Sequence, residues 1–138
     1  MSEDDRNVAV LQESYTLWNS DKAAGFDYWM QLLADDVTFR SLAGGRPGVE
    51  FTRDCNRKAD VARYFEGLTA DWEMVHYTPV DFIAQGGRVA VRGRTAWKNR
   101  RSGKTVSTPK ADFFRFRDGK IVEFFEFYDT AAMLAAAG

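Results

Sequence analysis

Four long, apolar-rich segments follow Asp71 and constrain this chain most: "WEMVHYTPVDFIA", "RVAVRGRTAW", "KTVSTPKADFFRF" and "KIVEFFEFYD". The connectors "QGG", "KNRRSG" and "RDG" are hairpin-type, each carrying the glycine that tight turns favour. Strands joined this way form an antiparallel meander. Before them the period changes. Val8, Leu11, Tyr15 and Trp18 recur at steps of three and four, marking one helix face over about residues 5–20. "FDYWMQLLA" reads as a short second helix entered after Gly25, "DDVTFRS" as a short strand and "LAGGRPG" as a loop. "NRKADVARYFEGL" reads as a third helix with Val61, Phe65 and Leu68 on one face, and the tail "TAAMLAAAG" is helix-permissive. Helices first and a long meander after them predict an α+β fold. Its mainly antiparallel sheet can curve and cover its concave face with the three N-terminal helices. A chain of 138 residues fits one domain, 1–138, whose core needs neither disulfide nor metal.

Aromatic residues make up 14% of the chain, with eleven Phe and four Trp, which implies a large core, a lined cavity or a buried interface. A net charge of −1 leaves no electrostatic footprint for nucleic acid. Lys98, Arg100, Arg101 and Lys104 fall at one hairpin tip and read as a solvated turn. The single Cys55 cannot form an internal disulfide, which fits a reducing compartment. The start "MSEDDRNVAV" is acidic and has no long apolar run, so a cytoplasmic protein without a membrane span is expected. One His and one Cys make no metal-ligand set. "GGRPG" lacks the Lys-Ser/Thr of a phosphate loop. No metal or cofactor is expected.

The last strand raises the functional question. Alternation puts Val122, Phe124, Glu126 and Tyr128 on one side and Ile121, Phe125 and Phe127 on the other. Both sides are apolar, so both are expected to be covered, yet Glu126 lies among the rings. A three-residue "RDG" loop with a bulge at Gly119 places Lys110 opposite Glu126, Asp112 opposite Phe124 and Phe114 opposite Val122. A two-residue loop would slip the register by one and part Asp112 from Glu126. The three-residue loop is preferred because it gives Glu126 a cationic neighbour. Two readings stay open. Lys110 and Glu126 form a plain ion pair, or Lys110, Asp112 and Glu126 form a polar cluster in an aromatic cavity. There, desolvation and like charge would raise a carboxylate pKa and create a general acid or base. Phe125 and Phe127, turned from the cavity, predict a homodimer.

"LLADDVTFRS", "GG…DVARYF" and "FFRFRDGKIVEFFEFYD", in this order, resemble the nuclear transport factor 2-like superfamily. That group includes ketosteroid isomerase, scytalone dehydratase, limonene epoxide hydrolase and polyketide cyclases of the SnoaL type. The resemblance implies a cone of curved sheet closed by helices, commonly paired into dimers. Set beside ketosteroid isomerase, Ser41 falls at the base, Tyr15 near the oxyanion Tyr and Asp112 on the oxyanion Asp. Ser is no base near neutral pH, which argues against a standard steroid isomerase. The dehydratase branch implies a dyad in which Asp21 orients His76. His76 shares a strand face with Trp72 and Met74, and the resemblance puts that face inside the cone. Limonene epoxide hydrolase fits less well, with Gly93 and Thr95 at its middle-strand Arg and Asp, although Glu126 matches its second Asp. The cyclases place an acid on the late strands, where Glu126 or Asp112 could serve.

The resulting expectation is a cofactor-free general acid–base enzyme of isomerase, dehydratase or cyclase type. It would act on a small, apolar, ring-containing metabolite. His76 would accept the proton and Asp21 orient it, with Tyr15 and Asp112 holding the developing charge. Lys110 would hold Glu126, which is the base if His76 is not. Trp72, Met74, Phe124 and Tyr128 would line the pocket. The alternative is a non-catalytic small-molecule-binding or dimerisation module of the same fold.

Overall fold

A computed structural model describes residues 1–138. Its elements run α1 (Glu3–Ser20), α2 (Lys22–Leu32), β1 (Leu33–Ser41), α3 (Lys58–Asp71), β2 (Trp72–Gln85), β3 (Arg88–Asn99), β4 (Thr105–Arg117), β5 (Lys120–Tyr128) and α4 (Thr130–Ala137), with a short 3-10 turn at Glu50–Thr52. The sheet order is β1-β5-β4-β3-β2. β2 to β5 form the expected antiparallel meander, and β1 joins its far edge parallel to β5. The result is an α+β fold of four helices on an open mixed sheet, in keeping with a nuclear transport factor 2-like cone. The helix termini follow local chemistry. Ser2 and Asp5 form a reciprocal capping box on α1, while Asp21 caps α2 and Asp129 caps α4. No helix is long and apolar enough to cross a membrane.

One core lies between the helices and the inner face of the sheet. Leu11, Val37, Phe39, Val61, Trp72 and Ile121 are almost fully buried in it. The outer face is different. The cross-strand row Ile83, Ala90, Phe113 and Phe125 ends in three large exposed apolar side chains, Ile83, Phe113 and Phe125. The Phe127 ring stacks on Phe125 with centroids 4.5 Å apart.

Two bulges decide which side chains face inward, and both correct expectations from sequence. The β4–β5 turn has two residues, not three. Arg117 pairs with Lys120, and both turn residues have positive φ, 50° at Asp118 and 77° at Gly119, as a primed hairpin turn demands. The one-residue slip this should cause is cancelled by a bulge at Val122, because Phe116 pairs with Ile121 but Arg115 with Glu123. Ile121 therefore faces the core instead of the outer side. Asp112 lies opposite Glu126, Phe114 opposite Phe124, and Lys110 opposite Tyr128. The pairs expected from the longer loop are each two residues off, while the shared face of Lys110, Asp112 and Glu126 survives.

The second bulge lies in β2 between Met74 and His76, which pair with the adjacent residues Trp97 and Ala96. Alternation restarts there. Trp72 and Met74 are buried, Val75 is exposed, His76 is partly exposed and Tyr77 is buried. His76 therefore does not share the face of Trp72 and Met74, and Tyr77 takes the inward place.

Candidate active site

The inner face carries a polar row inside an aromatic core. Val91, Asp112, Glu126 and Ser41 are successive cross-strand partners on β3, β4, β5 and β1, and the next inner row sets Gly93 beside Lys110 and Tyr128. Asp112 is 2% exposed and Glu126 6%. Two carboxylates facing each other in a sheet repel, more so out of water. Lys110 lies between them, with Nζ 2.8 Å from Asp112 Oδ1 and 3.2 Å from Glu126 Oε2.

Three tyrosines complete the cluster. The Tyr15 hydroxyl, from α1, donates to Asp112 Oδ2 at 2.5 Å. Tyr77, from β2, donates to the same oxygen and accepts from Lys110. Tyr64, from α3, donates to Glu126 Oε1. At the edge, the Ser41 and Tyr128 hydroxyls are 2.9 Å apart. Burial, opposed by Lys110 and reinforced by Asp112, pushes the Glu126 carboxyl above the ordinary carboxylate range. Burial works to lower Lys110, but the charges of Asp112 and Glu126 outweigh it and hold the ammonium above its ordinary pKa. Burial first, and the neighbouring carboxylates after it, push the Tyr15, Tyr64 and Tyr77 hydroxyls well above the ordinary tyrosine value. All three are held as proton donors.

The cluster forms one wall of a cavity of about 100 Å³. The remaining lining is mostly aromatic, including Trp18, Trp29, Phe65, Trp97 and Phe124, and α4 contributes Met133. Conventional ligand sites enclose several hundred Å³, so this space matches a single small ring.

The sequence-derived candidates divide cleanly. Tyr15, Lys110, Asp112, Phe124, Glu126 and Tyr128 all line the cavity. Trp72 and Met74 are buried in the core, outside the lining. His76 points outward, with Nδ1 3.2 Å from Thr78 Oγ1. Asp21 is exposed and accepts from the Ala24 N–H at the start of α2. The expected dyad geometry is thus not formed. Tyr64 and Tyr77 escaped the sequence reading. Tyr64 neighbours Phe65, which helical spacing places on the apolar face of α3 with Val61 and Leu68. Tyr77 reaches the cavity only through the bulge before it.

A family model for the SnoaL-like domain matches residues 11–124. The chain belongs to the SnoaL-like domain family. No curated protein matches it. Solved structures of similar fold include an NTF2-like protein from Burkholderia pseudomallei, at TM-score 0.85 and 23% identity over 99% of this chain and 98% of that one. TerC, co-crystallised with polyporic acid, is similar at TM-score 0.79 and 20% identity, covering 96% of this chain and 98% of its own. A candidate SnoaL-like polyketide cyclase from Jannaschia sp. CCS1 is similar at TM-score 0.76 and 16% identity, over 99% and 95%. At such identities these SnoaL-like and NTF2-like relatives establish the fold, and the chemistry has to be argued from the cluster.

Proposed function

We propose that this SnoaL-like protein is a cofactor-free acid–base catalyst acting on a small ring-containing molecule, with Glu126 as the group that moves the proton. One observation carries this reading. Glu126 lines a ring-sized cavity with a raised pKa, so it can hold a proton nearer neutrality than an ordinary carboxylate and hand it over. Asp112 accepts from Tyr15, Tyr77 and Lys110 and is the more fully occupied of the two carboxylates, so it is assigned to positioning the cluster. TerC was crystallised with polyporic acid, which supports small-molecule binding within this fold. Dehydration, isomerisation and cyclisation all share the proton transfer assigned to Glu126.

The test is a panel of hydroxylated ring compounds, ketols included, followed by NMR in deuterated water for proton exchange or loss of water. On any compound turned over, Glu126→Gln is expected to cost about a hundredfold or more. His76→Ala should leave the rate unchanged. Retention of the rate by Glu126→Gln, or its loss in His76→Ala, overturns the assignment.

The small volume of the cavity favours one further reading, a non-catalytic module that binds the same ligands. It predicts binding without turnover across the panel.

A further inference from the structure

The hydrogen-bonding capacity of the cluster defines what can approach it. Lys110 has three N–H protons and three partners, Asp112, Glu126 and the Tyr77 hydroxyl. The single protons of Tyr15 and Tyr77 go to Asp112, and that of Tyr64 goes to Glu126. The Ser41–Tyr128 hydroxyl pair shares one proton and has one more to offer. The acceptor side is not filled. Two ionised carboxylates offer about eight lone-pair positions, roughly four each. Asp112 receives Tyr15, Tyr77 and Lys110, while Glu126 receives Tyr64 and Lys110. Outside the cluster the lining offers three unpartnered donors, the Ser14 hydroxyl and the Trp18 and Trp29 indole N–H groups; Trp29 stands edge-on to Phe114 and Phe124, and none of the three bonds to the cluster. Charge points the same way. With both carboxylates ionised, one ammonium against two anions leaves the cluster at −1. The surrounding rings already accommodate a cation, since Lys110 Nζ lies 4.5 Å from the centre of the Tyr77 ring.

We propose that the cavity is specific for a small ring-bearing ligand that presents a hydrogen-bond donor to Glu126, with a protonated amine the best fit. An anionic head would meet two carboxylates whose neighbouring donors, Lys110, Tyr15, Tyr64 and Tyr77, are already spent on them and on each other. A bare carbonyl would present lone pairs to lone pairs. An ammonium cancels the residual charge, fills free acceptor positions and rests against aromatic faces. The proposal rests on the same cavity as the function given above, but it concerns recognition and not proton transfer.

Calorimetry or ligand-observed NMR at about pH 8, with benzylamine, benzyl alcohol, benzaldehyde and benzoate as probes, tests it on the intact protein. These share one ring and differ only in the head group. Benzylamine is expected to bind at least tenfold more tightly than benzoate or benzaldehyde, with benzyl alcohol between. In Glu126→Gln, whose fold is checked by circular dichroism, the amine preference is expected to collapse. Should that variant fail to fold, Glu126→Asp replaces it, and the preference should weaken without being lost. Benzoate or benzaldehyde binding as tightly as benzylamine overturns the proposal, as does an amine preference untouched by either substitution. Amine-selective binding together with full turnover by Glu126→Gln would leave recognition standing and remove the catalytic role.

Discussion

Lys110 is the side chain on which the cluster depends. Asp112 and Glu126 are direct cross-strand partners, and the ammonium lies within 3.2 Å of an oxygen of each. Removing one partner from a buried ionic group costs about 3–5 kcal/mol, because the remaining charges stay buried. Lys110→Met is expected to lose stability in that range at about pH 8. The loss should depend on pH in a definite direction. The Glu126 pKa is raised in the folded protein, so the folded chain keeps a proton that the unfolded chain has released. Stability therefore falls as pH rises from the unfolded value, about 4.3, through the folded one. Taking Lys110 away removes the charge that opposes this rise, so the window extends upward. Urea unfolding should show a clearly smaller deficit for Lys110→Met at about pH 4.5 than at pH 8; equal deficits would contradict a titrating pair. Glu126→Gln is expected to be milder than Lys110→Met, since Asp112 remains beside the ammonium.

The strands set these residues in place through irregularities as much as through pattern. Gly93 pairs with both Pro79 and Lys110, and a Cβ there would sit 2.3 Å from the Thr78 carbonyl oxygen and 2.9 Å from the Pro79 Cα. Backbone cannot yield as a flexible side-chain end can. Gly93→Ala is expected to destabilise the fold by at least about 2 kcal/mol and to disturb Lys110 on the neighbouring strand. Chemical denaturation together with probe binding checks this, and an unchanged midpoint would contradict it. The same elements show what was legible in the sequence. Hairpin connectors and alternation located all four long strands, and helical spacing located α1 and α3. The shared face of Asp112 and Glu126 is legible although the turn is one residue shorter than expected, because the Val122 bulge offsets the shorter loop. The bulge before His76 had no such compensation, so the inferred face was inverted and Tyr77 was overlooked. Nothing in "MVHYTPV" announces where an extra residue will be accommodated, since that is settled by pairing with Trp97 and Ala96 on β3. Tyr64 was missed for a related reason. Its hydroxyl finds Glu126 across 62 positions of sequence, and no local period encodes such a contact.

For the molecule as a whole, the sheet separates two surfaces of different purpose. Its inner face holds the cavity. Its outer face leaves Ile83, Phe113 and Phe125 exposed, an apolar band that a monomer would show to water. A homodimer paired through this face is expected, and sedimentation at micromolar concentration checks it. The double substitution Phe113→Asp with Phe125→Asp should give a monomer whose cavity still binds probes, whereas a monomeric unsubstituted protein would contradict the pairing. Inner face and cavity meet at Glu126, a titrating carboxyl that faces the ligand space. Carbon-13 NMR of the labelled Glu126 carboxyl, titrated with and without benzylamine, tests this most directly. The expected result is a pKa above the ordinary glutamate value that moves when the amine binds. A carboxyl that titrates like an exposed glutamate and ignores the ligand would contradict it.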